Sequence, residues 1–282
     1  MTRVLLLGNR KRREVCSECQ RVLPRLREFA EVVEIDMSRA ELTVSDADFA
    51  IVIGGDGSLL RAARALAPRR IPALGVHVGR LGFLAEVQPG ELDDAIAAIE
   101  SGAFEIAPRM MIHCRATRGD QTLLDTVALN DAVVSRGALS RLVSIGLYIN
   151  GEHVTDYNGD GLIVSTPVGS TAHSLAAGGP ILEADLRAFV VTPICPHTLT
   201  NRPLVIPAAG TIEMVINPID LPTALTVDGQ VYAELKPADR VTVTMAEEDL
   251  RLIKTGARSY YQTLREKLGW GGHPNYGNST NP

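Results

Sequence analysis

Apolar positions in the first hundred residues follow two alternating rhythms. Short continuous runs at residues 3–8, 32–36, 48–53 and 71–76 have the length and aliphatic content of strands buried on both faces. Between them the spacing turns helical. It does so over residues 11–29, where Pro24 interrupts or restarts the pattern, over 58–67, and over 91–101, where Leu92, Ala95, Ile96 and Ile99 share one face. Strands alternating with helices predict a parallel, doubly wound sheet. Ligands of such sheets gather at the carboxyl ends of the strands.

The texture changes near residue 105. Short alternating runs follow at 111–116, 123–129, 143–149, 161–165, 204–206, 211–216, 224–227 and 240–245, separated by Gly, Pro or Asn/Asp turns. Asn150-Gly151 is a two-residue hairpin signal. One helical candidate, 170–177, interrupts the series, and Ser170 or Thr171 could cap it. The fold class predicted is an α/β N-terminal domain with a doubly wound parallel sheet, plus a β-rich, sandwich-like C-terminal domain. The boundaries are 1–105, 106–255, and a C-terminal segment 256–282 whose end, rich in Gly, Asn and Pro from 269 on, reads as a mobile tail. No internal repeat is evident.

Composition narrows the classes. With 45% hydrophobic and 22% charged residues the chain is globular, and its core is aliphatic because only 4% is aromatic. A net charge of −5 argues against general nucleic-acid binding. The basic run Arg10-Lys11-Arg12-Arg13 is short and reads as a solvated loop or helix face. No apolar run approaches the ~20 residues that span a bilayer. The opening Val4-Leu5-Leu6-Leu7-Gly8 is too short for a secretory signal core, so a cytoplasmic protein with no membrane partner is expected. Cys16-x-x-Cys19 lacks two further ligands at zinc spacing and reads as two ordinary cysteines.

The most telling stretch is Ile51-Val52-Ile53-Gly54-Gly55-Asp56-Gly57-Ser58. A buried strand ends, two glycines permit a sharp turn, and a helical pattern begins at once. A carboxylate is thereby set at the mouth of a strand-to-helix turn, beside N–H groups able to face a phosphate. There is no G-x-x-x-x-G-K-[ST] loop, and Leu60 stands where a dinucleotide fingerprint needs its third glycine, so both common nucleotide-binding motifs are excluded. Asn130-Asp131 offers donors and acceptors for sugar hydroxyls or a base edge, though such pairs are also turn formers. Residues 158–175 combine a Gly-Asp-Gly turn, a short strand and a Pro-x-Gly-Ser-Thr loop suited to an anion. Thr192-Pro193-Ile194-Cys195-Pro196-His197 has an extended backbone set by two prolines, and its lone histidine reads as structural. Val227-Asp228-Gly229-Gln230 reads as a hairpin turn from which Gln230 could reach a ligand. In Gly79-Arg80-Leu81-Gly82-Phe83-Leu84, Phe83 could pack on a base or fill the core.

Taken together and in this order, these motifs resemble the NAD kinase family, the ATP- or polyphosphate-dependent NAD 2′-phosphotransferases, from Gly54 to Gln230. The Gly-Gly-Asp-Gly turn alone is shared with diacylglycerol-type lipid kinases and 6-phosphofructokinases. The resemblance implies NAD bound between the two domains and Asp56 accepting the proton of the adenosine 2′-hydroxyl. It implies phosphate contacts for Gly57 and Arg61, and adenosine contacts for Asn130, Asp131, Thr171 and Ala172. Asp160 would meet the second nucleoside. Arg141, Asn158, Ser174, Ala176 and Gln230 would supply further dinucleotide contacts, and Phe83 is a candidate for a base. Two residues depart from the family pattern. Asp131 stands where glutamate is common, and His173 where a tyrosine commonly stacks on the ligand; a histidine there would make affinity pH-dependent. A divalent ion, Mg²⁺ or Mn²⁺, is expected on the donor phosphates with no protein metal ligand. Family resemblance further implies a homodimer or homotetramer. The competing readings are a lipid or sugar-phosphate kinase with the same turn, and a dinucleotide-binding regulator without turnover.

Overall fold

The structure, a computed structural model, describes residues 2–38, 42–79, 82–137, 142–198, 200–218, 222–256 and 258–270. The expectations for Arg80, Leu81, Arg141 and the tail beyond residue 270 lie outside the described residues. The first four strands, β1 (Thr2–Gly8), β2 (Ala30–Asp36), β3 (Phe49–Gly54) and β4 (Ala73–His77), run parallel in the order β2-β1-β3-β4. Three helices, α1 (Arg13–Phe29), α2 (Asp56–Leu66) and α3 (Leu92–Glu100), cover the sheet. Strand alternation sorts them onto opposite faces. Val4, Leu6, Ile51 and Ile53 pack with Val15, Val22 and Leu26 of α1 and Leu92, Ala95 and Ile96 of α3. Leu5, Leu7, Ala50 and Val52 pack with Leu59, Ala62, Ala63 and Leu66 of α2. The sheet is doubly wound as expected. Pro24 neither breaks nor restarts α1, which runs 17 residues through it. The proline is exposed, so the carbonyl it leaves unpaired one turn earlier can face water.

Next come β5 (Glu105–Arg109), β6 (Ile112–Arg118), β7 (Gln121–Ala128), β8 (Asp131–Arg136), β9 (Val143–Ile149), β10 (Glu152–Gly159), β11 (Gly161–Ser165) and the short helix α4 (His173–Ala176). The remainder is β12 (Ala188–Ile194), β13 (Leu204–Pro207), β14 (Ile212–Ile216), β15 (Thr223–Val227), β16 (Val231–Leu235), β17 (Arg240–Met245), β18 (Leu250–Lys254) and α5 (Tyr260–Leu268). Two antiparallel sheets, β10-β9-β14-β17-β6-β7 and β13-β12-β11-β8-β15-β16, share an aliphatic core with Phe189 fully buried in it. Asn150 and Gly151, at φ 53° and 80°, turn the β9–β10 hairpin as the dipeptide predicts.

Three expectations need correction. First, β5 and β18 leave the β-rich part. They pair with each other antiparallel, and β18 lies parallel beside β4, extending the first sheet to six strands. Residues 105–109 and 250–254 therefore hydrogen-bond in the sheet of the α/β half, where they cover the edge that β4 would otherwise expose. Second, the region 170–177 is a 3₁₀ turn (Gly169–Thr171) followed by four residues of helix, and no side chain caps that helix. Ser170 and Thr171 instead bond back to the carbonyls of Pro167 and Val168. Third, Asn130-Asp131 is not a plain turn, because Asp131 opens β8 and pairs with Ser165 of β11. Pro193 is compatible with a strand because it lies in β12 beyond the last residue that β13 pairs, Val191, so no ladder bond is lost on that side. Among the described residues no helix is long and apolar enough to cross a membrane.

Phe189 tests whether the two antiparallel sheets close over a single core. Phe189→Ala should lower the unfolding free energy by about 3–5 kcal/mol in urea denaturation. A loss below about 1 kcal/mol would mean that the sheets do not pack tightly around it.

Candidate active site

Asp56 occupies the first helical position of α2, directly after β3 and the extended residue Gly55. The strand-to-helix reversal needs glycine at 54, since a Cβ there would lie 2.3 Å from Ser58 Oγ. The carboxylate does not hang free. Its Oδ2 accepts the Phe83 N–H at 2.8 Å and its Oδ1 the Leu84 N–H at 3.2 Å. The backbone comes this close because residue 82 is glycine; a Cβ there would sit 1.9 Å from Asp56 Oδ1. The Gly-Phe-Leu motif therefore acts through its backbone as well as through the Phe83 ring, over which the Lys267 ammonium lies 5.5 Å from the centroid.

One cavity takes its lining from the loop that contacts Asp56 and another from the Asp56 turn itself. The first, of about 640 Å³, is lined by Phe83 and Leu84, whose N–H groups hold Asp56, and by Val168, Thr171, Lys254 and Arg258. The other is a more open groove of about 830 Å³ lined by Gly55, Gly57 and Ser58 of the Asp56 turn. Arg12, Arg61, Arg64 and Arg69 give that groove its charge, and among the described residues no acidic side chain lines it. Arg61 donates to the Met37 carbonyl at 2.8 Å, which orients it in the groove wall.

The β-rich half supplies a second cluster. Thr166 donates its N–H to Asn130 O at 2.8 Å and its hydroxyl to Leu129 O at 2.6 Å, tying the 166–171 loop to the β7–β8 junction. Gly169 is needed there, because a Cβ would meet Asn130 O at 2.1 Å. Asp131 is almost fully buried and lies 3.2 Å from Nδ1 of the exposed His173. That hydrogen bond, opposed by burial and helped by the charges of Asp131 and Asp228, raises the His173 pKa above the usual histidine value.

Behind the cluster sits Asp228, whose importance the sequence reading missed. Its side chain is fully buried and accepts the N–H groups of Leu129, Asn130 and Asp131 at 3.1, 2.8 and 3.2 Å. Burial pushes its pKa up while these three donors pull it back. Arg64 and Gly82 were missed as well. Arg64 lies seven residues after Gly57, on one face of α2 with Arg61, and that spacing was the available signal.

The structure thus gathers Asp56, Gly57, Arg61, Phe83, Thr171 and Gln230 around the turn, with Asn130, Asp131 and His173 adjoining through the 166–171 loop. Ala172 and Ala176 flank His173 in the chain, Ala172 half-buried and Ala176 exposed. Ser174 is fully buried with its hydroxyl 2.8 Å from that of Thr192, so its side chain supports the loop from behind and does not face a ligand. Asn158 and Asp160 lie at the opposite end of β11 from Ser165 and Asp131, about 16 Å away at the usual strand rise. Asp160 pairs there with Arg136 at 2.8 Å. His197 donates its N–H to the Asn158 carbonyl at 2.9 Å, a structural contact. Among the described residues no three His, Cys, Asp or Glu side chains come together as metal ligands. Cys19 is half-buried, and burial pushes its thiol up to about 11, so it packs as a neutral thiol.

Residues 5–104 match the ATP-NAD kinase N-terminal domain and residues 129–255 the ATP-NAD kinase C-terminal domain. The chain belongs to the NAD kinase family. A curated NAD kinase from Rhodopirellula baltica is 41% identical over 271 residues, 96% of this chain and 87% of that protein. Among solved structures, a yeast NADH kinase complexed with NADH superposes with a TM-score of 0.87 at 22% identity, over 97% of this chain and 89% of that one. An NAD kinase from Archaeoglobus fulgidus in complex with ATP gives 0.74 at 24% identity, over 95% and 99%. At those identities the likeness speaks to the fold, which is the two-domain fold of NAD kinases. The NAD kinase motifs account for the glycines at 54, 82 and 169, each of which meets a site atom at a distance no Cβ tolerates.

Gly82 gives a sharp test. Gly82→Ala must displace either the Asp56 carboxylate or the 82–84 backbone. Turnover should fall by about 100-fold, the penalty for a misplacement near 1 Å, with the melting temperature little changed. Wild-type activity in this variant, measured by NADP formation, would show that the Asp56–loop contact is dispensable.

Proposed function

We propose that the chain transfers the terminal phosphoryl group of ATP to the 2′-hydroxyl of the adenosine ribose of NAD, giving NADP. One observation carries this reading: a carboxylate hydrogen-bonded to the backbone of Phe83 and Leu84 in the wall of one cavity and flanked in the chain by Gly55 and Gly57 of a groove lined by arginines. The adenosine part of NAD occupies the first, against Phe83 and Thr171, with Asn130, Asp131, Ala172 and His173 holding it. The dinucleotide then runs along α4 past Ala176, and Asn158, Asp160, Gln230 and Arg141 are assigned to its more distant contacts. The donor phosphates occupy the second, against Gly57, Arg61 and the N-terminus of α2.

The ribose oxygen attacks the terminal phosphorus as the bond from that phosphorus to the leaving ADP oxygen breaks. Asp56 receives the proton that the hydroxyl loses. Each of its oxygens carries one N–H hydrogen bond and keeps a further lone pair for the ribose hydroxyl. Those N–H bonds also hold the carboxylate in one orientation, which is the main service a protein offers to phosphoryl transfer. A divalent ion, Mg²⁺ or Mn²⁺, suits a site of this kind when borne by the donor oxygens, because among the described residues the groove presents arginines and backbone and no carboxylate cage. When bound it supplies charge neutralisation, alongside Arg61. We further infer a cytoplasmic homo-oligomer, dimer or tetramer, joined through the β-rich half, where the edge strands β13 and β16 expose Val205 and Tyr232.

Two measurements test this reading. Asp56→Asn keeps the shape and removes the proton acceptor, so NADP formation should fall by about 10²–10⁴-fold while calorimetry still shows NAD binding; a near-wild-type rate would strip Asp56 of the role. The second concerns pH. The His173 pKa is raised by Asp131, so the ion pair is complete below the ordinary histidine pKa and is lost as pH rises through the higher folded value. A ligand that stacks on His173 must first part it from Asp131. NAD affinity should therefore increase between about pH 5.5 and pH 8, across the histidine range. A flat profile over that interval would count against the stacking role.

A further inference from the structure

The segment that holds Asp56 is itself held from its other side. Residues 82–87 cross the carboxyl edge of the first sheet over β4. Leu84 enters the core on the α2 face, and Val87 enters the core on the face of α1 and α3. Between them Ala85 lies against Gly75 of β4, where a Cβ would come within 3.0 Å of the Ala85 Cα. The crossing closes at Val87, whose carbonyl accepts the His77 N–H at 3.0 Å. Glu86 reaches sideways from this crossing to the end of β18, the strand next to β4. Its Oε2 accepts Lys254 Nζ at 2.6 Å and its Oε1 accepts the Thr255 N–H at 2.8 Å. The segment is thus gripped twice. Phe83 and Leu84 donate to Asp56 on the β3 side, and Glu86 accepts from Lys254 and Thr255 on the β18 side.

Glu86 is buried and Lys254 half-buried. Such a pair gives up much of its hydration, and apolar side chains of similar volume often hold a fold as well or better. Adhesion is therefore a poor reason for an ion pair here, and Leu84, Ala85 and Val87 already supply adhesion. What the pair adds is a fixed direction and length between two stretches of chain 168 residues apart. Resting on the functional reading above, we propose that Glu86 is a positioning residue for Asp56. By fastening the 82–87 segment to the end of β18, it sets where the Phe83 and Leu84 N–H groups stand, and these set where the Asp56 carboxylate points. Glu86 meets no reacting atom; it acts through two backbone amides. The effect reaches the ribose hydroxyl because a misplacement near 1 Å costs about 100-fold in rate.

The test uses the full-length chain with Glu86→Gln, Lys254→Met and the two combined. Glu86→Gln is nearly isosteric and keeps an oxygen for the Thr255 N–H, but it sets an amide against the Lys254 ammonium, donor against donor. Lys254→Met removes the ammonium and keeps an apolar side chain. The combination leaves no charge unpaired, so it answers the question even if a single variant folds poorly. Phe189→Ala is the control, since it loosens the β-rich core, to which the 82–87 segment does not belong. The expected result is kcat lowered by about 10- to 100-fold in all three variants, with the NAD dissociation constant raised by less than about threefold. The double variant should be no slower than the slower single one, because both break the same contact. Hydrogen exchange should show the Phe83 and Leu84 amides losing about tenfold in protection. Phe189→Ala should not produce that change, even at an equal loss of melting temperature. Unchanged kcat in Glu86→Gln overturns the inference, and so do amides as protected as in wild type. A weaker NAD affinity with kcat unchanged overturns it too, and would make Lys254 a ligand contact. An equal loss of turnover in Phe189→Ala would make the effect one of stability and overturns it as well. A wild-type chain that forms no NADP sinks the functional reading and this role with it, whereas an active wild type whose amides ignore Glu86→Gln sinks this role alone.

Discussion

The contact between the Asp56 carboxylate and the N–H groups of Phe83 and Leu84 is the constraint on which the site depends. It exists because β3 and β4 are adjacent, parallel and in register, with Gly54 opposite His77, so the turns leaving them emerge side by side. The segment after β4 then folds back across the turn after β3. A hydrogen bond between two such turns does more than satisfy a carboxylate. It ties the wall of one cavity to the turn that lines the other, through the Asp56 carboxylate. β18 and β5 extend the sheet beyond β4 and bring Lys254 and Leu252 to the far wall of the Phe83 cavity. The return of the chain to the first sheet therefore contributes to the site, although neither strand carries a residue with an assigned role in the chemistry.

Legibility followed the range of the interactions involved. The α/β half was readable because each strand and helix announces itself within a dozen residues, and the Asp56 turn is wholly local. The hairpin at Asn150-Gly151 was readable for the same reason. Strands β8, β12 and β18 were not. The first begins inside a pair of turn-forming residues, the second contains Pro193, and the third is distinguished only by its partner, which is 140 residues away at β5. In each case hydrogen bonding to a distant strand outweighed the local preference. The site divided in the same way. Asp56, Asn130 and Asp131 stand out by type and spacing. Asp228 was quoted as part of a turn, yet its work is to hold three N–H groups nearly a hundred positions earlier, which no local pattern reports. For Ser174 nothing in the sequence signalled that its hydroxyl lies against Thr192 in the core, eighteen residues away.

His173 and Asp131, the two positions expected from the sequence to depart from the family pattern, lie against each other. An aspartate is one methylene shorter than glutamate and, buried at the start of β8, reaches less far into the cleft. The histidine across from it approaches to 3.2 Å, a contact that raises its pKa, and when protonated it brings a positive charge that a tyrosine could not. That charge matters because Asp228, a second buried acid, lies under the same loop and holds the Asp131 N–H. Two uncompensated carboxylates so close would repel in a medium of low dielectric. Arg64 answers one of them and His173 the other, so the cluster divides into two pairs, one built into the α2 interface and one exposed to whatever occupies the cleft.

That division explains why a polar brace lies over an interface that is already apolar. Leu59, Leu60, Ala63 and Leu66 of α2 share a core with Leu129, Met111, Val168 and Ala246 of the β-rich half, so burial alone holds the halves together. Apolar contact is adhesive but nearly free of direction. Aliphatic side chains tolerate small slides of one surface over another at little cost, and a slide along α2 would move Asp56 relative to Asn130 while leaving the seam buried. Hydrogen bonds have directions and lengths that a slide violates at once. The apolar seam thus fixes that the two halves meet, and the hydrogen bonds from Gln230 to the Gly57 carbonyl and from Arg64 to Gln230 and Asp228 add directional contacts along α2.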